Sequence, residues 1–424
     1  MHDSQSLTLK ALVDQAQQAS TNLAQSSVQA RNLVLKDLAI ALQSHQDAIL
    51  EANTLDLETT RDLAVTDLVL QWLKLTPDRL AVVRQFIEQL VGLPDPLQVR
   101  SGTVANSLYS LSGFRVMPLG VVCGLYEFLP EFPVLLASLC LKTGNSLMVR
   151  GSAETSNTHR LFSELIATVL SKGKVDQRCF FSFESDRTVT PKDLVAQALP
   201  IDLVIPYGRP SFIRDIAQQK TAPMLTPVMG NSYLFWSSTG SSDLVRSIIV
   251  DSHCGAPDAV NAIEKVIITP NTNYSLLNVV FNHLREKKFT LKGDETLTAE
   301  FPDLALAEPQ EWSTPYLSKT VAFKVVNSVA EGIQWMNTHS SGHADCMVTD
   351  SYRESQQFTL GTTSATAFIN ASPRFSRLVS GPYGTVALGM VGNGSFHQGA
   401  IGVETLLKRS HVIQGVGASM SGQL

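Results

Sequence analysis

The sequence predicts an α/β protein with two Rossmann-like domains, each built on a parallel sheet, together with a small extended ribbon. The first observation is residues 120–151, GVVCGLYEFLPEFPVLLASLCLKTGNSLMVRG, which have the pattern of a strand, a short helix and a second strand. Such a βαβ unit implies parallel strands joined by a right-handed crossover. The second observation is that apolar runs alternate with helical patterns along the rest of the chain, with a second series starting near residue 241.

Length and composition are typical of a soluble globular protein. The chain has 424 residues, 44% of them hydrophobic and 17% charged, and this length allows roughly two to three domains. The formal net charge of -5 gives no electrostatic reason to expect nucleic acid or an anionic membrane as a partner. The N-terminal residues lack a basic segment followed by an apolar one, so we expect no secretory signal and a cytoplasmic location.

The cysteines also favour a cytoplasmic location. They are odd in number, widely spaced and mostly set in apolar runs, which is typical of reduced core cysteines and not of a disulfide framework or a zinc site. They are Cys123, Cys140, Cys179, Cys254 and Cys346.

The first hundred residues are predicted to be mostly helical. Leucine, isoleucine and alanine recur at helical spacing over residues 8–55, with polar residues between them. A further helix is bounded by Thr76-Pro77-Asp78 at its start and by Gly92-Leu93-Pro94 at its end. Residues 101–119 instead alternate apolar with small polar residues, which predicts an extended ribbon.

The βαβ unit is the segment around which the first domain is organised. Residues 121–126 suit a buried strand, residues 134–142 a helix with Pro133 in its first turn, and residues 146–150 a second strand. The intervening loop, residues 127–132, leaves the carboxyl end of the first strand, where open α/β sheets bind their ligands. Two carboxylates and two prolines exclude a transmembrane helix here.

The remaining elements follow in alternation. In the first domain we expect a helix over 155–171, strands over 180–185 and 201–208, and helices in PKDLVAQAL and IRDIAQQK. The second domain should contain strands in NSYLFWSS, KVIITP, KTVAFKVVNS, HADCMVTD and ATAFINAS, with helices in SDLVRSIIVDSH, YRESQQFTL and residues 275–286. The Gly- and Ser-rich tail from Gly381 is expected to fray at its end.

Runs in one order along nearly the whole chain resemble gamma-glutamyl phosphate reductase, the glutamate-5-semialdehyde dehydrogenase of proline biosynthesis in the aldehyde dehydrogenase superfamily. They include ILEANTLDL, LTPDRL, MPLGVV, YEFLP, LCLKTGNSLMVRG, IDLVIPYG, VNAIE, GHADCMVTD and INASPRF. The resemblance implies an aldehyde-dehydrogenase-like fold. A cofactor-type domain would span 1–100 and 120–230, and a catalytic-type domain would span 231–380. An oligomerisation ribbon would combine 101–119 with residues from 381–424.

The resemblance also implies a chemistry, which this chain departs from. The family reduces an acyl phosphate with NADPH: a cysteine thiolate displaces phosphate, and hydride then reaches the thioester. The family's cysteine position is Val260 here, and the amide that stabilises the oxyanion is replaced by Glu131. The acidic residue of the wider superfamily falls on Thr226. Cys254, six residues before Val260, is a possible substitute nucleophile. The favoured alternative is a loop cysteine without a role, because the sequence shows no nearby base or helix N-terminus that would activate the thiol.

The positions that the resemblance assigns to the cofactor NADP are changed too. The ribose-binding glutamate is Pro315, while Tyr207 and Arg209 replace a basic residue and a glycine in the phosphate-side loop. The remaining candidates for cofactor contacts are Arg150, Lys142, Glu154 and Gly208. The alternative for the two cations is an ordinary solvated position at a strand or helix end.

Three residues of INASPRF match the family and are candidates for substrate binding: Asn370, Arg374 and Phe375. Packing is the alternative role for Arg374. His339 and His343 flank a Ser-Ser-Gly segment, and because Gly342 indicates a loop we expect no metal site there.

Two functional hypotheses follow. The first is a pseudoenzyme, a paralog that keeps the scaffold and acts by binding a ligand or a protein partner, for instance a paralogous enzyme subunit. The second is an NADP-dependent glutamate-5-semialdehyde dehydrogenase whose catalytic residues have been relocated. In either case the resemblance implies a homo-oligomer, a dimer or a tetramer.

Overall fold

The computed structural model describes residues 8–61, 67–98, 100–107, 110–185, 189–254, 259–393 and 395–415. The chain forms two compact units. Unit 1 comprises residues 1–63, 73–224 and 402–424, and unit 2 comprises residues 64–72 and 225–401. The strands of the predicted ribbon fall within unit 1, and residues 381–401 of the predicted tail fall within unit 2.

The α-helices of the described ranges are, in chain order, α1 (Leu9–Gln25), α2 (Val28–Ser44), α3 (Gln46–Arg61), α4 (Asp67–Leu73), α5 (Pro77–Gly92), α6 (Phe132–Thr143), α7 (Ser156–Lys172), α8 (Pro191–Val195), α9 (Pro210–Gln219), α10 (Ser242–Ser252), α11 (Tyr274–Glu286), α12 (Glu295–Glu300), α13 (Val329–His339) and α14 (Tyr352–Gly361).

The strands of the same ranges are β1 (Arg100–Ser107), β2 (Ser110–Pro118), β3 (Val121–Tyr126), β4 (Ser146–Gly151), β5 (Phe180–Phe183), β6 (Leu203–Tyr207), β7 (Pro227–Val228), β8 (Ser232–Trp236), β9 (Ile263–Ile268), β10 (Thr290–Gly293), β11 (Ala305–Leu306), β12 (Thr320–Val325), β13 (Asp345–Val348), β14 (Ala367–Ile369), β15 (Met390–Val391), β16 (Gly399–Ala400) and β17 (Leu407–Gly415).

The main sheet of unit 1 has the strand order β5-β4-β3-β6, and all its strand pairs are parallel. This confirms the βαβ prediction. Every residue of β3 and of α6 is buried, which explains why this stretch is so apolar. Gly144 ends α6 in the left-handed conformation, at φ +79°. The chain runs from β3 outward to β4 and β5 and then returns to the other side of β3 as β6, so the strand order reverses between β3 and β6.

A second sheet of unit 1 is the antiparallel ribbon β1-β2-β17. The prediction of an extended ribbon over residues 101–119 is confirmed, since most of that range lies in β1 and β2. The third strand comes from the C-terminal region, with Leu407 opposite Pro118. Residues 416–424, the end of the tail for which fraying was predicted, lie outside the described residues.

Unit 2 contains a seven-stranded parallel sheet with the order β11-β10-β12-β9-β8-β13-β14. The predicted second α/β series is therefore confirmed, with element ends that differ by a few residues. The elements that were not predicted include strand β10, which has only four residues, and α13, which follows Ser328, whose side chain caps it by accepting from Glu331 N–H. A small sheet, β16-β15-β7, completes the unit.

Four of the five cysteines are buried free thiols, and Cys254 is exposed. Over the described residues, no helix combines the length and the apolar character that crossing a membrane requires.

Candidate functional site

The loop after β3 carries two glutamates at the carboxyl end of the central sheet of unit 1. Glu127 continues the strand pairing, since its N–H donates to Tyr207 O at 2.8 Å. The next residue, Phe128, has φ +53°, a left-handed conformation that non-glycine residues rarely adopt. Glu131 is the N-cap residue of α6, but its side chain makes no capping hydrogen bond to that helix. The loop therefore holds both carboxylates free of the backbone of α6.

Glu131 forms a buried ion pair with Arg79 of helix α5. Arg79 Nε and Nη2 donate to the two carboxylate oxygens at 2.7 and 2.6 Å. The side chains are only 9% and 2% exposed. The third nitrogen of the guanidinium, Nη1, donates to Lys74 O at 2.8 Å. This forked arrangement is the strongest form of arginine–carboxylate contact. Sequence reasoning missed Arg79, although it lies in the family-like run LTPDRL.

Glu127 forms the second ion pair of the loop, with Arg209. Arg209 Nη2 lies 2.9 Å from Glu127 Oε1, and Arg209 Nε lies 3.2 Å from Oε2. Arg209 directly precedes α9, and its guanidinium also lies 4.9 Å from the centre of the Phe128 ring. Hydrogen bonding to the Glu127 carboxylate raises the pKa of Arg209. Because Glu127 follows β3 and Arg209 follows β6, the pair spans the crevice at which the strand order reverses.

Val260 lies in unit 2 and is completely buried. Its carbonyl oxygen accepts from Gly230 N–H at 2.9 Å and lies 2.9 Å from Nε2 of His343. His343 is buried as well, and burial lowers its pKa to about 4, so it is neutral and donates through Nε2 to this carbonyl. The histidine thus holds the backbone of Val260, the residue that the resemblance assigns to the family's cysteine position, and the Val260 side chain offers an isopropyl group.

The predicted substrate residues are engaged within unit 2. Arg374 donates to Asp251 Oδ1 at 3.2 Å. Asn370 has φ +50° and bridges the ends of β13 and β14, where its side chain accepts from Thr349 N–H and donates to Thr349 O. Phe375 is buried and packs beside Tyr383. Each side chain therefore has a structural use, and the substrate role stays a prediction.

The residue after Val260 organises the same part of unit 2. Asn261 donates from Nδ2 to Pro373 O at 2.7 Å and to the Tyr383 hydroxyl at 2.5 Å. A neighbouring carboxylate, Glu264, accepts three backbone N–H bonds, which come from Asn231, Tyr316 and Leu317. Burial raises the pKa of Glu264. Pro315, at the family's ribose-binding position, immediately precedes two of these donors and supplies no polar side chain.

The predicted cofactor residues of unit 1 are mostly occupied. Arg150 donates to Val189 O, Gly151 O and Ser185 O, so each nitrogen of its guanidinium has a backbone carbonyl partner. Burial lowers the pKa of Arg150. The half-buried Glu154 lies in a short 3₁₀ turn after β4.

Lys142 has no exposed surface. It donates to Leu93 O at 2.7 Å, with Asn32 Oδ1 at 3.2 Å and Val91 O at 3.4 Å. Burial lowers its pKa. The arrangement ties the end of α6 to α2 and to the end of α5. This differs from the solvated helix-end cation that we considered, because the lysine is enclosed by the surrounding helices.

A cavity of about 200 Å³ lies next to β4 and is lined by Ser152, Asn157, His159, Arg160 and Glu184, among others. It is smaller than the roughly 300–1,000 Å³ of most ligand pockets. At Gly208, a side chain would meet Glu127 at 3.0 Å, so the phosphate-side loop packs directly against the first loop glutamate. Within unit 1, these residues do not fit a dinucleotide phosphate, because the crevice contains the Glu127–Arg209 ion pair.

The two remaining candidates for a catalytic role are Thr226 and the possible substitute nucleophile Cys254. Thr226 is half-buried directly before β7. Cys254 is exposed after α10, and its thiol donates to Val250 O with a sulfur–oxygen distance of 3.3 Å. Residues 255–258, between Cys254 and Ala259, lie outside the described residues. A cavity of about 170 Å³ in unit 2 is lined by Ala259, Ala262 and Glu264, among others.

His339 and His343 do not come together around a common centre. His339 stacks on Trp335 with ring centres 4.1 Å apart, and its Nδ1 lies 2.8 Å from Ser313 Oγ. In the part of the chain that the structure describes, no three histidine, cysteine, aspartate or glutamate side chains are grouped so that they could hold a metal ion.

No protein-family model matches the chain. It is 40% identical over 406 residues to gamma-glutamyl phosphate reductase 2 of Synechocystis sp., an alignment that covers 95% of this chain and 96% of the relative. It is 28% identical to the gamma-glutamyl phosphate reductase of Gloeobacter violaceus, with 97% of both chains covered.

Solved structures agree on the fold. The crystal structure of gamma-glutamyl phosphate reductase from Thermotoga maritima superposes with a TM-score of 0.87 at 24% identity, covering 96% of this chain and 98% of the other. A probable aldehyde dehydrogenase from Listeria monocytogenes has a TM-score of 0.67 at 14% identity, with 96% of each chain covered. The architecture is therefore that of the aldehyde dehydrogenases.

Proposed function

Because the chain belongs to the gamma-glutamyl phosphate reductase family, we propose that it is a member that retains the fold but has lost the family's reaction, and that it acts by binding a ligand or a protein partner. The observation that carries the proposal is Val260. The family resemblance assigns the nucleophile position to this residue, which is fully buried and has an apolar side chain. Valine has no lone pair, so it can neither attack an acyl phosphate nor hold a thioester.

Glu131 supports the proposal independently. At this position the family presents a neutral amide to a developing oxyanion, and a hydrogen-bond donor is what such a centre requires. A carboxylate offers only acceptors, and both oxygens of Glu131 are already held by Arg79. The second loss makes recovery by a single replacement elsewhere harder, since catalytic groups that act as a unit fail together.

The cofactor side of the proposal rests on Arg209 and Pro315. The family is NADP-dependent, and a bound dinucleotide would supply the hydride of the reaction. In this chain Arg209 is drawn across the strand-end crevice by Glu127, and Pro315 has no carboxylate to offer a ribose hydroxyl. We infer that the NADP site is closed.

The partner is proposed to be another protein chain. The ribbon exposes three apolar side chains, Phe114, Val412 and Ile413, which are 46%, 47% and 68% exposed. Apolar surface of this kind favours association, either with a second copy of this chain in a dimer or tetramer or with a paralogous enzyme subunit. The proposed location is the cytoplasm.

One observation favours the alternative of a reductase with relocated chemistry. Cys254 is an exposed free thiol only six residues before Val260 in sequence. If it served as the nucleophile, the chain would still reduce an acyl phosphate. Against this, its thiol donates to a backbone carbonyl of the preceding helix α10.

Growth of a bacterium that lacks its own gamma-glutamyl phosphate reductase tests the proposal. Without proline in the medium, the wild-type chain should fail to restore growth, while the Synechocystis relative serves as the positive control. Soluble expression of both chains is verified in the same cells. Growth supported by the wild-type chain, and lost with Cys254→Ala, would establish the alternative.

A further inference from the structure

We propose that Arg79 is a latent binding site for a small oxyanion, a carboxylate or a phosphate, and that the Glu131 carboxylate occupies it as a built-in ligand. The inference deepens the proposed function and rests on it only in assigning Glu131 to the oxyanion position. The contacts that support it lie entirely within unit 1.

The Arg79–Glu131 pair has the geometry of a ligand contact. Two nitrogens of Arg79 meet the two oxygens of Glu131 at 2.7 and 2.6 Å, which is the side-by-side fork with which arginine binds carboxylate and phosphate ligands. The guanidinium is 9% exposed, so an anion at this position is largely removed from water. A charge-assisted contact of this kind gains strength from its low-dielectric surroundings.

The location of the Arg79–Glu131 pair also supports the inference. Glu131 belongs to the loop that leaves the carboxyl end of β3, the central strand next to the reversal of strand order. Open α/β sheets bind their ligands in this place. The N-terminus of the twelve-residue helix α6 starts at the next residue and adds a positive partial charge.

Glu131 also behaves as a ligand of Arg79 and not as a cap of its own helix. N-cap side chains normally accept a backbone N–H of the first turn, and Glu131 does not. It reaches instead to a residue 52 positions earlier in the sequence. Because this carboxylate is attached to the protein, its effective concentration at Arg79 exceeds that of any free anion at millimolar level.

The loop repeats the arrangement at lower burial, which supplies an internal control. Glu127 binds Arg209, but that guanidinium is 47% exposed. Water therefore screens the second pair, and removing its carboxylate leaves an arginine that is already solvated. Replacing the paired glutamate should therefore raise the affinity for an added anion at Arg79 and not at Arg209.

Calorimetric titration of the full-length protein with inorganic phosphate, and separately with L-glutamate, tests the inference at constant ionic strength. Wild type should show no saturable binding of either anion in the millimolar range. Glu131→Ala should bind at least one of them saturably, with a Kd at least about tenfold below the lower limit that the wild-type titration sets. Glu131→Gln, which keeps the side-chain volume, decides the matter if the alanine variant does not fold. The phosphate and glutamate arms distinguish the two ligand chemistries.

Two controls complete the design. Adding Arg79→Leu to the Glu131 variant should abolish the gained binding, and Glu127→Gln should not produce it. The inference is overturned if neither Glu131 variant gains binding, if the gain survives the loss of Arg79, or if Glu127→Gln gains as much. None of these readouts measures turnover, so the inference can fail while the proposed loss of the reaction holds, and the reverse is equally possible.

Discussion

Glu127 and Arg209 form an ion pair of 2.9 Å between the ends of the adjacent strands β3 and β6. The two residues meet where the strand order of the sheet reverses, the place at which doubly wound proteins admit a ligand. The three residues from Phe128 to Pro130 separate this pair from the buried Glu131–Arg79 pair. This loop lies where a ligand is expected to bind, and an ion pair within the protein holds each of its ends.

This arrangement predicts the behaviour of the cofactor. Wild type should show no saturable binding of NADP or NADPH at millimolar concentration, because Glu127 holds Arg209 in an ion pair in unit 1 and Pro315 of unit 2 lacks the carboxylate that the resemblance assigns to ribose binding. The double variant Arg209→Gly, Pro315→Glu restores two of the residues that the family resemblance assigns, and it should bind NADPH with measurable affinity. NADPH fluorescence titration measures both. Saturable micromolar binding by wild type contradicts the closed site.

The buried pair predicts a large stability effect. Arg79→Leu leaves the Glu131 carboxylate buried without a partner and should lower the free energy of unfolding by about 3 kcal/mol. The matched control is Arg84→Leu, one turn further along α5, where the Arg84–Glu88 pair is 3.5 Å long and its side chains are 32% and 57% exposed. That change should cost less than about 1 kcal/mol. Urea denaturation compares them, and equal losses would contradict the special status of Arg79.

Sequence reasoning identified the α/β framework but not the side-chain contacts within it. The βαβ unit could be predicted because burial on both faces of β3 and β4 leaves a continuous apolar run, and because Pro133 and Gly144 mark the helix ends. The pairing of Glu131 with Arg79 could not, since no local pattern joins residues 52 positions apart. From the sequence, Glu131 only replaces the amide that the family resemblance assigns to the oxyanion. The structure adds that a guanidinium already compensates its charge.

Lys142 illustrates the same limit. From the sequence, a lysine in the last turn of α6 was a candidate for cofactor binding or an ordinary solvated cation, because helix ends favour both. Its three oxygen partners come from α2 and from the end of α5, about 50 or more residues away in sequence, and only the fold brings them together. The sequence of α6 alone therefore does not show which residues of other elements surround Lys142.

Lys142→Met should accordingly affect stability and not ligand binding. The substitution leaves the carbonyl oxygens of Val91 and Leu93 and the Asn32 amide without this donor, and it should lower the free energy of unfolding by about 1–3 kcal/mol. Lys172→Met, at the exposed end of α7, should have little effect. Chemical denaturation measures the difference. A variant as stable as wild type would contradict the structural role.

Two buried histidines, His159 and His343, and the half-buried His253 predict how stability depends on pH. Burial lowers the pKa values of His159, His253 and His343 from 6.5 to about 4. Between pH 6.5 and 4 the unfolded chain therefore binds more protons than the folded one, so the free energy of unfolding should fall as the pH falls through this window. Each histidine contributes up to about 1.4 kcal/mol per pH unit.

Asp345 acts in the opposite direction, because burial raises its pKa from 3.8 to about 6. Its contribution to stability is greatest below pH 3.8 and declines as the pH rises towards 6, which offsets about one of the three histidines. Denaturation midpoints between pH 4 and 7 should still rise with pH, and the slope should be smaller for His159→Gln. A flat profile for wild type contradicts neutral burial of the three imidazoles.

The measurement that tests the loss of the reaction most directly is the reverse reaction of the purified protein. Glutamate semialdehyde, phosphate and NADP are supplied, and the formation of NADPH is followed for wild type, Cys254→Ala and Val260→Cys. We predict no formation of NADPH above background by wild type or Cys254→Ala. We also predict none by Val260→Cys, because Glu131 and the closed cofactor site remain. Turnover by wild type that disappears in Cys254→Ala would contradict the account and make Cys254 the nucleophile.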